Sequence, residues 1–319
     1  MTQDIVPLRR SRAGHVAKEP RPPWLRVQLR DQNTFGEVGQ LLDGLSLNTV
    51  CREARCPNIW ECWGAHKTAT FMILGDVCTR ACRYCSVTSG RPKGPPDADE
   101  PARIAEAVVR LDLLHVVLTS VDRDDLPDKG AGHFVAVLEA IRAKKPEARV
   151  ELLIPDFAGD WAALERVLDA RPDILDHNTE TVPRLFRRMR SRGVYPRTLE
   201  LLERADRYRR RTGAAMRTKT GIMLGLGEQK NELLAVMDDL RAVSCDVLTL
   251  GQYLQPTPKH AKIERYWTPE EFAELKAAAL AKGFLHCESG PLVRSSYHAH
   301  EHMPDGGAAL HPPAKQSAG

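Results

Sequence analysis

From Phe71 onward, short apolar runs alternate with amphipathic stretches, and this alternation limits the fold more than any other feature of the 319-residue chain. The runs cover residues 71–74, 115–120, 150–154, 174–177, 221–224 and 247–252, and read as strands. Helices are expected at 102–111, 132–144, 160–170, 197–211, 229–243 and 269–282. In the 229–243 stretch Leu233, Leu234, Met237 and Leu240 fall on one helical face. Six strand–helix units in succession predict an α/β fold, a parallel sheet with helices outside it. Six are too few to close an eightfold barrel, so a partial, TIM-like (β/α)6 barrel is expected, with a doubly wound sheet as the competitor. In either topology the loops after the strands carry the site.

Three parts are expected: an N-terminal extension at 1–65, the partial barrel at 66–290, and a C-terminal segment at 291–319 that ends in a flexible tail. Within the first part, Pro20, Pro22 and Pro23 exclude helix, so residues 1–35 read mostly as an extended arm. Residues 37–45 read as one short helix with Gly44 near its end.

The loop after the first strand holds Cys78, Cys82 and Cys85 in the spacing C-x3-C-x2-C, with no fourth cysteine in the same loop. Thiolates bind iron–sulfur clusters, and a cubane [4Fe–4S] has four corners to ligate. Three ligands leave one iron open to a small molecule. A second trio, Cys51-x4-Cys56-x5-Cys62, lies just upstream. Six of the eight cysteines crowd into 51–85 with no signal-peptide core before them, which favours metal binding over disulfides. Structural zinc usually takes four ligands in paired C-x2-C spacings; His66 or a distant cysteine could complete such a site, but the cluster fits better. Cys245 and Cys287 stand outside both trios and read as buried small hydrophobes.

Composition narrows the class. Apolar residues make up 42% and charged residues 28%, ordinary values for a globular protein. No run of about 18 apolar residues occurs, so no transmembrane helix and no membrane partner is expected. A net charge of +4, from 46 basic and 42 acidic residues, is too small to argue for nucleic acid. Asp4 and Glu19 count against a transit peptide, which makes a cytoplasmic enzyme the expectation. Arg187, Arg188, Arg190, Arg192 and Arg197 form a basic cluster, either a solvated face or a surface for an acidic partner. The stretch 122–125 and the turn at 130–133 read as a cover over the site or as plain polar loop.

C-x3-C-x2-C after a first strand, with Tyr84 before the last cysteine, resembles the radical S-adenosylmethionine superfamily. The resemblance implies that the open iron chelates the amino and carboxylate groups of S-adenosylmethionine. It also implies reductive cleavage to a 5′-deoxyadenosyl radical that abstracts hydrogen from an unactivated carbon. Thr119 and Ser120 end the second strand, where the superfamily holds the methionine amino group. Asn178 and Glu180 follow the fourth, where polar groups meet the ribose. Gly225 and Gly227, within the stretch 221–228, resemble the adenine-side segment, where glycine lets backbone approach a flat ligand. Taken alone, Ser120 and Asn178 read equally well as helix N-caps.

The upstream trio joined with Arg294-Ser295-Ser296-Tyr297-His298-Ala299 is more specific and resembles the lipoyl synthase family from about Trp24 to His300. That resemblance implies an auxiliary [4Fe–4S] cluster on Cys51, Cys56 and Cys62, with Ser296 as fourth ligand and Ser295 as second choice. Without it, both serines read as satisfying backbone groups near the chain end. An alkoxide is a harder donor than a thiolate and suits a corner iron less well, so such a ligand can leave. The implied activity is a sulfurtransferase, inserting two sulfur atoms at carbons C6 and C8 of a protein-bound octanoyl-lysine, with the auxiliary cluster as sulfur donor. The implied catalytic set is Cys78, Cys82, Cys85 and Ser296, and the cofactors are two [4Fe–4S] clusters and S-adenosyl-L-methionine. The implied partners are an octanoylated lipoyl carrier domain (2-oxoacid dehydrogenase E2 or glycine cleavage H protein) and an electron donor such as ferredoxin or flavodoxin. Rival readings are a methylthiotransferase-like enzyme, a two-cluster electron carrier and a zinc-dependent binding module. The first normally carries its trio in a separate N-terminal domain, for which about fifty residues are too few. The second leaves most of the chain beyond Cys85 without a purpose.

Overall fold

A computed structural model describes residues 21–26, 32–53, 56, 58–59, 70–296 and 302. The expected arm before residue 21, Cys62, Tyr297, His298 and the expected tail lie outside the described residues. A 3-10 turn at Pro23–Leu25 and helix α1 (Gln32–Gly44) come first, so α1 starts earlier than the sequence pattern suggests. The short helix α2 (Val50–Glu53) carries Cys51.

Seven strands then form one sheet: β1 (Thr70–Ile73), β4 (His115–Ser120), β5 (Arg149–Leu153), β6 (Ile174–Asp176), β7 (Arg217–Leu224), β8 (Val247–Gln252) and β9 (His286–Gly290). Two-residue strands β2 (Val77–Cys78) and β3 (Thr88–Ser89) form a separate ribbon inside the cysteine loop. The large sheet runs β1-β4-β5-β6-β7-β8-β9, every pairing parallel. Each strand lies beside its predecessor in the chain, with no reversal of order. A doubly wound sheet reverses at a switch point, so the barrel-type reading is the one realised. No pairing joins β9 to β1 among the described residues, which leaves the barrel open.

The connecting helices are α3 (Glu100–Arg110), α4 (Ala131–Lys144), α5 (Trp161–Asp169), α6 (Pro183–Met189), α7 (Tyr195–Thr212), α8 (Lys230–Ala242) and α9 (Pro269–Ala281). Their starts follow local chemistry. Asp160 accepts from Ala162 N and Ala163 N at the head of α5, while Thr268 and Glu271 form a reciprocal capping box on α9. Helix α7 stops where Gly213 takes φ +69°. Leu233, Met237 and Leu240 of α8 are buried, as the periodicity predicts.

Helices α2 and α6 and the β2–β3 ribbon lie outside the expected elements, and two strands depart from the pattern for a physical reason. Strand β9 reads His-Cys-Glu-Ser-Gly, and of these only Cys287 is buried, so no apolar period marks it. Strand β7 begins at Arg217, before its apolar half, because Lys219 is turned into the barrel and fully buried. There its Nζ lies 2.7 Å from Glu151 Oε1 and 3.9 Å from Asp176 Oδ2. Burial opposes ionisation of Glu151, but Lys219 and His115 outweigh it and hold the carboxyl below its ordinary range. Asp176 has the opposite fate: burial drives its carboxyl well above the usual range, against the pull of Lys219.

Candidate active site

The cysteine loop is clasped at both ends. Strands β2 and β3 pair across it, and Gly90 N donates to Cys78 O at 2.9 Å. Its middle is held from the end of α6 and from a loop: Arg83 N donates to Met189 O (2.9 Å), and Ala261 N to Arg83 O (2.8 Å). His260 Nε2 donates to Cys85 O at 2.9 Å, its Nδ1 facing Thr257 Oγ1.

Beneath the loop lies Arg80, which the sequence did not single out. Its guanidinium is buried and meets Asp122 at 3.2 Å, Asp124 at 2.8 Å and Asp156 at 2.7 Å. Asp124 N also donates to Thr79 Oγ1, which itself donates to Asp122 O. The 122–125 stretch therefore braces the cysteine loop from below and is not a free cover. At the 130–133 turn, His133 Nε2 lies 2.6 Å from Glu100 Oε2, and the same oxygen accepts from Leu74 N just before the loop.

The thiols fit a cluster. Cys78, Cys82 and Cys85 are free and half-buried. Burial, then the charge of Asp122, pushes Cys78 up to about 11; burial, then the neighbouring thiols, pushes Cys85 up to about 12. Three such sulfurs ionise together only against a strong positive charge, which an iron–sulfur core supplies. Two backbone amides, Arg80 N and Asp122 N, already donate to Cys78 Sγ at 3.4 and 3.3 Å.

Thr119 and Ser120 close β4, while Asn178 and Glu180 follow β6 and Gly225 and Gly227 follow β7. Thr119 Oγ1 donates to Leu153 O at 3.0 Å, whereas the Ser120 hydroxyl is buried without a partner. Glu180 takes φ +70° after β6, its amide donating to Gly221 O and its carbonyl accepting from Met223 N. Burial raises the Glu180 carboxyl, against Arg190 and hydrogen bonds from Asn178 and Tyr84. Gly225 and Gly227 take φ +101° and +105°. The turn is organised by Glu228, also missed: it accepts from Gly225 N (2.6 Å), Leu226 N (2.9 Å) and Trp267 Nε1 (2.7 Å). A carboxylate inside a glycine-rich turn is the signal that could have revealed it.

The second cysteine group meets the C-terminal segment. Cys51 is buried in the core and Cys56 half-buried, with Cys56 N donating to Cys51 O at 3.0 Å. Asn58 Nδ2 donates to Leu292 O at 2.7 Å, and Thr70 Oγ1 to Ser296 Oγ at 2.9 Å. Burial raises the Cys56 thiol, with the Arg294 charge opposing it. The two serines point apart, since Ser295 Oγ lies 3.0 Å from Asn178 Nδ2. Room for Ser295 comes from Gly221: a Cβ there would lie 2.7 Å from Asn178 Oδ1 and 3.2 Å from Ser295 Oγ.

The basic cluster divides. Arg190 Nη1 donates to Asn178 O at 2.6 Å, and Arg197 braces Asp156 at 3.0 Å. Arg192 pairs with Asp124 (3.5 Å) and Arg188 with Glu264 (3.7 Å). Cys245 and Cys287 are buried, as small hydrophobes are.

The Radical SAM superfamily profile matches residues 72–240. A lipoyl synthase of Symbiobacterium thermophilum is 56% identical over 281 residues, 88% of this chain and 86% of that protein. One of Chloroflexus aurantiacus is 52% identical over 299 residues, 94% of this chain and 95% of its own. Among solved structures, Streptococcus suis SuiB bound to S-adenosylmethionine superposes with a TM-score of 0.53 at 12% identity, over 80% of this chain and 61% of that one. The hydrogenase maturase HydG gives 0.51 at 15% identity, over 67% and 54%. These two likenesses show the fold alone. Identity above one half along nearly the whole length of both proteins goes further: this chain belongs to the lipoyl synthase family of the radical SAM superfamily.

Proposed function

We infer that the chain is a lipoyl synthase, a sulfurtransferase that uses S-adenosylmethionine and [4Fe–4S] clusters to insert sulfur into an octanoyl group on a lipoyl carrier protein. One observation carries this reading. A polar path runs from the cysteine loop at 78–85 to the C-terminal serines: Tyr84 and Asn178 both act on the Glu180 carboxyl, lowering its pKa against burial, and Asn178 Nδ2 donates to Ser295 Oγ at 3.0 Å. A barrel that generates a radical and a segment that serves sulfur insertion are thereby coupled through four side chains.

Cys78, Cys82 and Cys85 would hold the radical-generating cluster, and Cys51, Cys56, Cys62 and Ser296 the auxiliary one. When bound, the first cluster would supply the electron that lets S-adenosylmethionine remove hydrogen from carbons C6 and C8, and the auxiliary cluster would supply the sulfur that takes its place. Acid–base chemistry has no purchase on saturated carbon, so the side chains bind, orient and exclude water. The buried Ser120 hydroxyl, without a partner among the described residues, would meet the amino group of S-adenosylmethionine, and Asn178 and Glu180 its ribose. Gly225 and Gly227 open backbone to its base, and Thr119 keeps β4 and β5 in register beneath.

The division into 1–65, 66–290 and 291–319 then has a purpose, since the outer parts supply one cluster site and the middle part the other. The carrier is a 2-oxoacid dehydrogenase E2 or the glycine cleavage H protein, and the reductant a ferredoxin or flavodoxin. Among the described residues no helix is long and apolar enough to cross a membrane; the cytoplasm is the proposed compartment.

Anaerobic incubation with an octanoylated carrier peptide, reductant and S-adenosylmethionine tests the reading by mass spectrometry. Two added sulfurs are expected with the parent chain. Cys82→Ala should abolish S-adenosylmethionine cleavage, whereas Cys56→Ala should keep some cleavage and lose sulfur insertion. Parent-rate product from Cys56→Ala would remove the donor assignment.

A further inference from the structure

The described residues of the C-terminal segment touch the sheet at its top, at its middle and at its foot. At the top, Gly251, near the end of β8, packs so closely on Val293 O that any Cβ there would overlap it. Ser295 lies midway, against Gly221 of β7. Ser296 meets Thr70, the first residue of β1. The next described residue, His302, is wholly buried at the feet of two further strands. Its ring packs on that of His286, the first residue of β9, with centroids 4.7 Å apart and planes inclined at 55°. Its carbonyl accepts from Nη1 of Arg217, the first residue of β7, at 3.2 Å.

We propose that His302 is a positioning residue: it fastens the C-terminal segment to the foot of the open barrel and so holds Ser296 at the auxiliary cluster. The inference rests on the reading that Ser296 is a ligand there. A serine oxygen is a poor donor to iron beside thiolate, so its own bond is too weak to order the segment that carries it. The ligand must be presented by contacts made elsewhere, which raise its local concentration and remove the ordering cost from the binding step. On the chain's N-terminal side those contacts are Asn58 on Leu292 O, the Gly251–Val293 approach and Asn178 on Ser295 Oγ, and Ser296 itself accepts from Thr70 Oγ1 at 2.9 Å. On its C-terminal side, among the described residues, they are those of His302. Without His302, the described contacts would hold Ser296 from its N-terminal side and through the single Thr70 hydrogen bond. The radical-generating loop at Cys78–Cys85 is braced through Arg80, Met189 and Ala261, none of which touches this foot.

The test compares His302→Ala, His302→Phe and Ser296→Ala with the parent after anaerobic reconstitution. It reads iron per chain, Mössbauer spectra, reductive S-adenosylmethionine cleavage and sulfur insertion. His302→Ala should fall from about eight irons towards about four, keep cleavage within about twofold and lose at least about tenfold in sulfur insertion. His302→Phe, which keeps a ring against His286, should match the parent in all four. Full iron and parent-rate insertion in His302→Ala would overturn the proposal. So would equal loss of both clusters, because general destabilisation does not choose between them, and so would a phenylalanine chain that behaves like the alanine one. If the alanine chain does not fold, His302→Leu is judged by the same readings. Ser296→Ala separates the two levels: if it keeps eight irons and inserts sulfur, the ligand reading itself fails, whatever His302 does.

Discussion

Replacing His177 with asparagine should flatten the acid side of the stability profile. His177 follows β6 and is fully buried. Its Nδ1 donates to Ile154 O at 2.8 Å, which leaves Nε2 as the acceptor facing Thr198 Oγ1 (3.3 Å) and Arg190 Nη2 (3.4 Å). A proton on Nε2 would be buried and would face the Arg190 guanidinium. Burial first and that charge second lower its pKa to about 3, although Asp156 pulls the other way. In the unfolded chain the ordinary value near 6.5 returns. Below about 6.5 the unfolded state therefore binds a proton that the folded state refuses, so stability is full above that pH and drains as pH falls towards 3. From pH 7.5 to 5.5 the loss from this residue alone is about 1.4 kcal/mol, and it does not depend on how low the folded value lies. Urea unfolding of parent and His177→Asn at the two pH values, followed by helix signal, measures it, since other titrating groups cancel in the comparison. The reasoning fails if both chains lose the same stability over that interval.

Two further outcomes follow from packing. Gly251→Ala drives a Cβ into Val293 O, so the C-terminal segment must shift; auxiliary iron and sulfur insertion should be lost while S-adenosylmethionine cleavage survives, and parent-level iron would contradict the close approach. Lys219→Met removes the cation from a fully buried Glu151 and should cost about 3–5 kcal/mol in chemical denaturation, because an uncompensated charge remains inside the barrel. A loss below about 1 kcal/mol would mean that Glu151 takes up a proton at little cost.

Much of the barrel was legible before the structure. Strands such as β4 and β8 are buried on both faces, and continuous apolar runs announce them. Strand β9 was not legible, since an edge strand with one buried residue leaves no period to read. The front half of β7 was hidden because Lys219 looks like a surface residue until Glu151, on a distant strand, is known to face it. The same limit applied at the site. Cysteine spacing pointed to Cys78, Cys82 and Cys85, whereas Arg80 looked like an ordinary polar loop residue. Its burial depends on Asp122, Asp124 and Asp156, which come from other loops. The basic cluster misled in a similar way: Arg190 and Arg197 are internal braces, and their partners lie on separate elements.

The sequence by itself determined the chemistry within each short segment: two cysteine trios, a glycine-rich turn and alternating strands and helices. Those properties depend on side chains a few residues apart, where chain geometry alone sets who can meet. The tertiary structure alone decided that Asn58 reaches Leu292, 234 residues on, and that Thr70 reaches Ser296. Such meetings depend on strand order and on a barrel left open between β9 and β1, and only the packing of the whole sheet determines either.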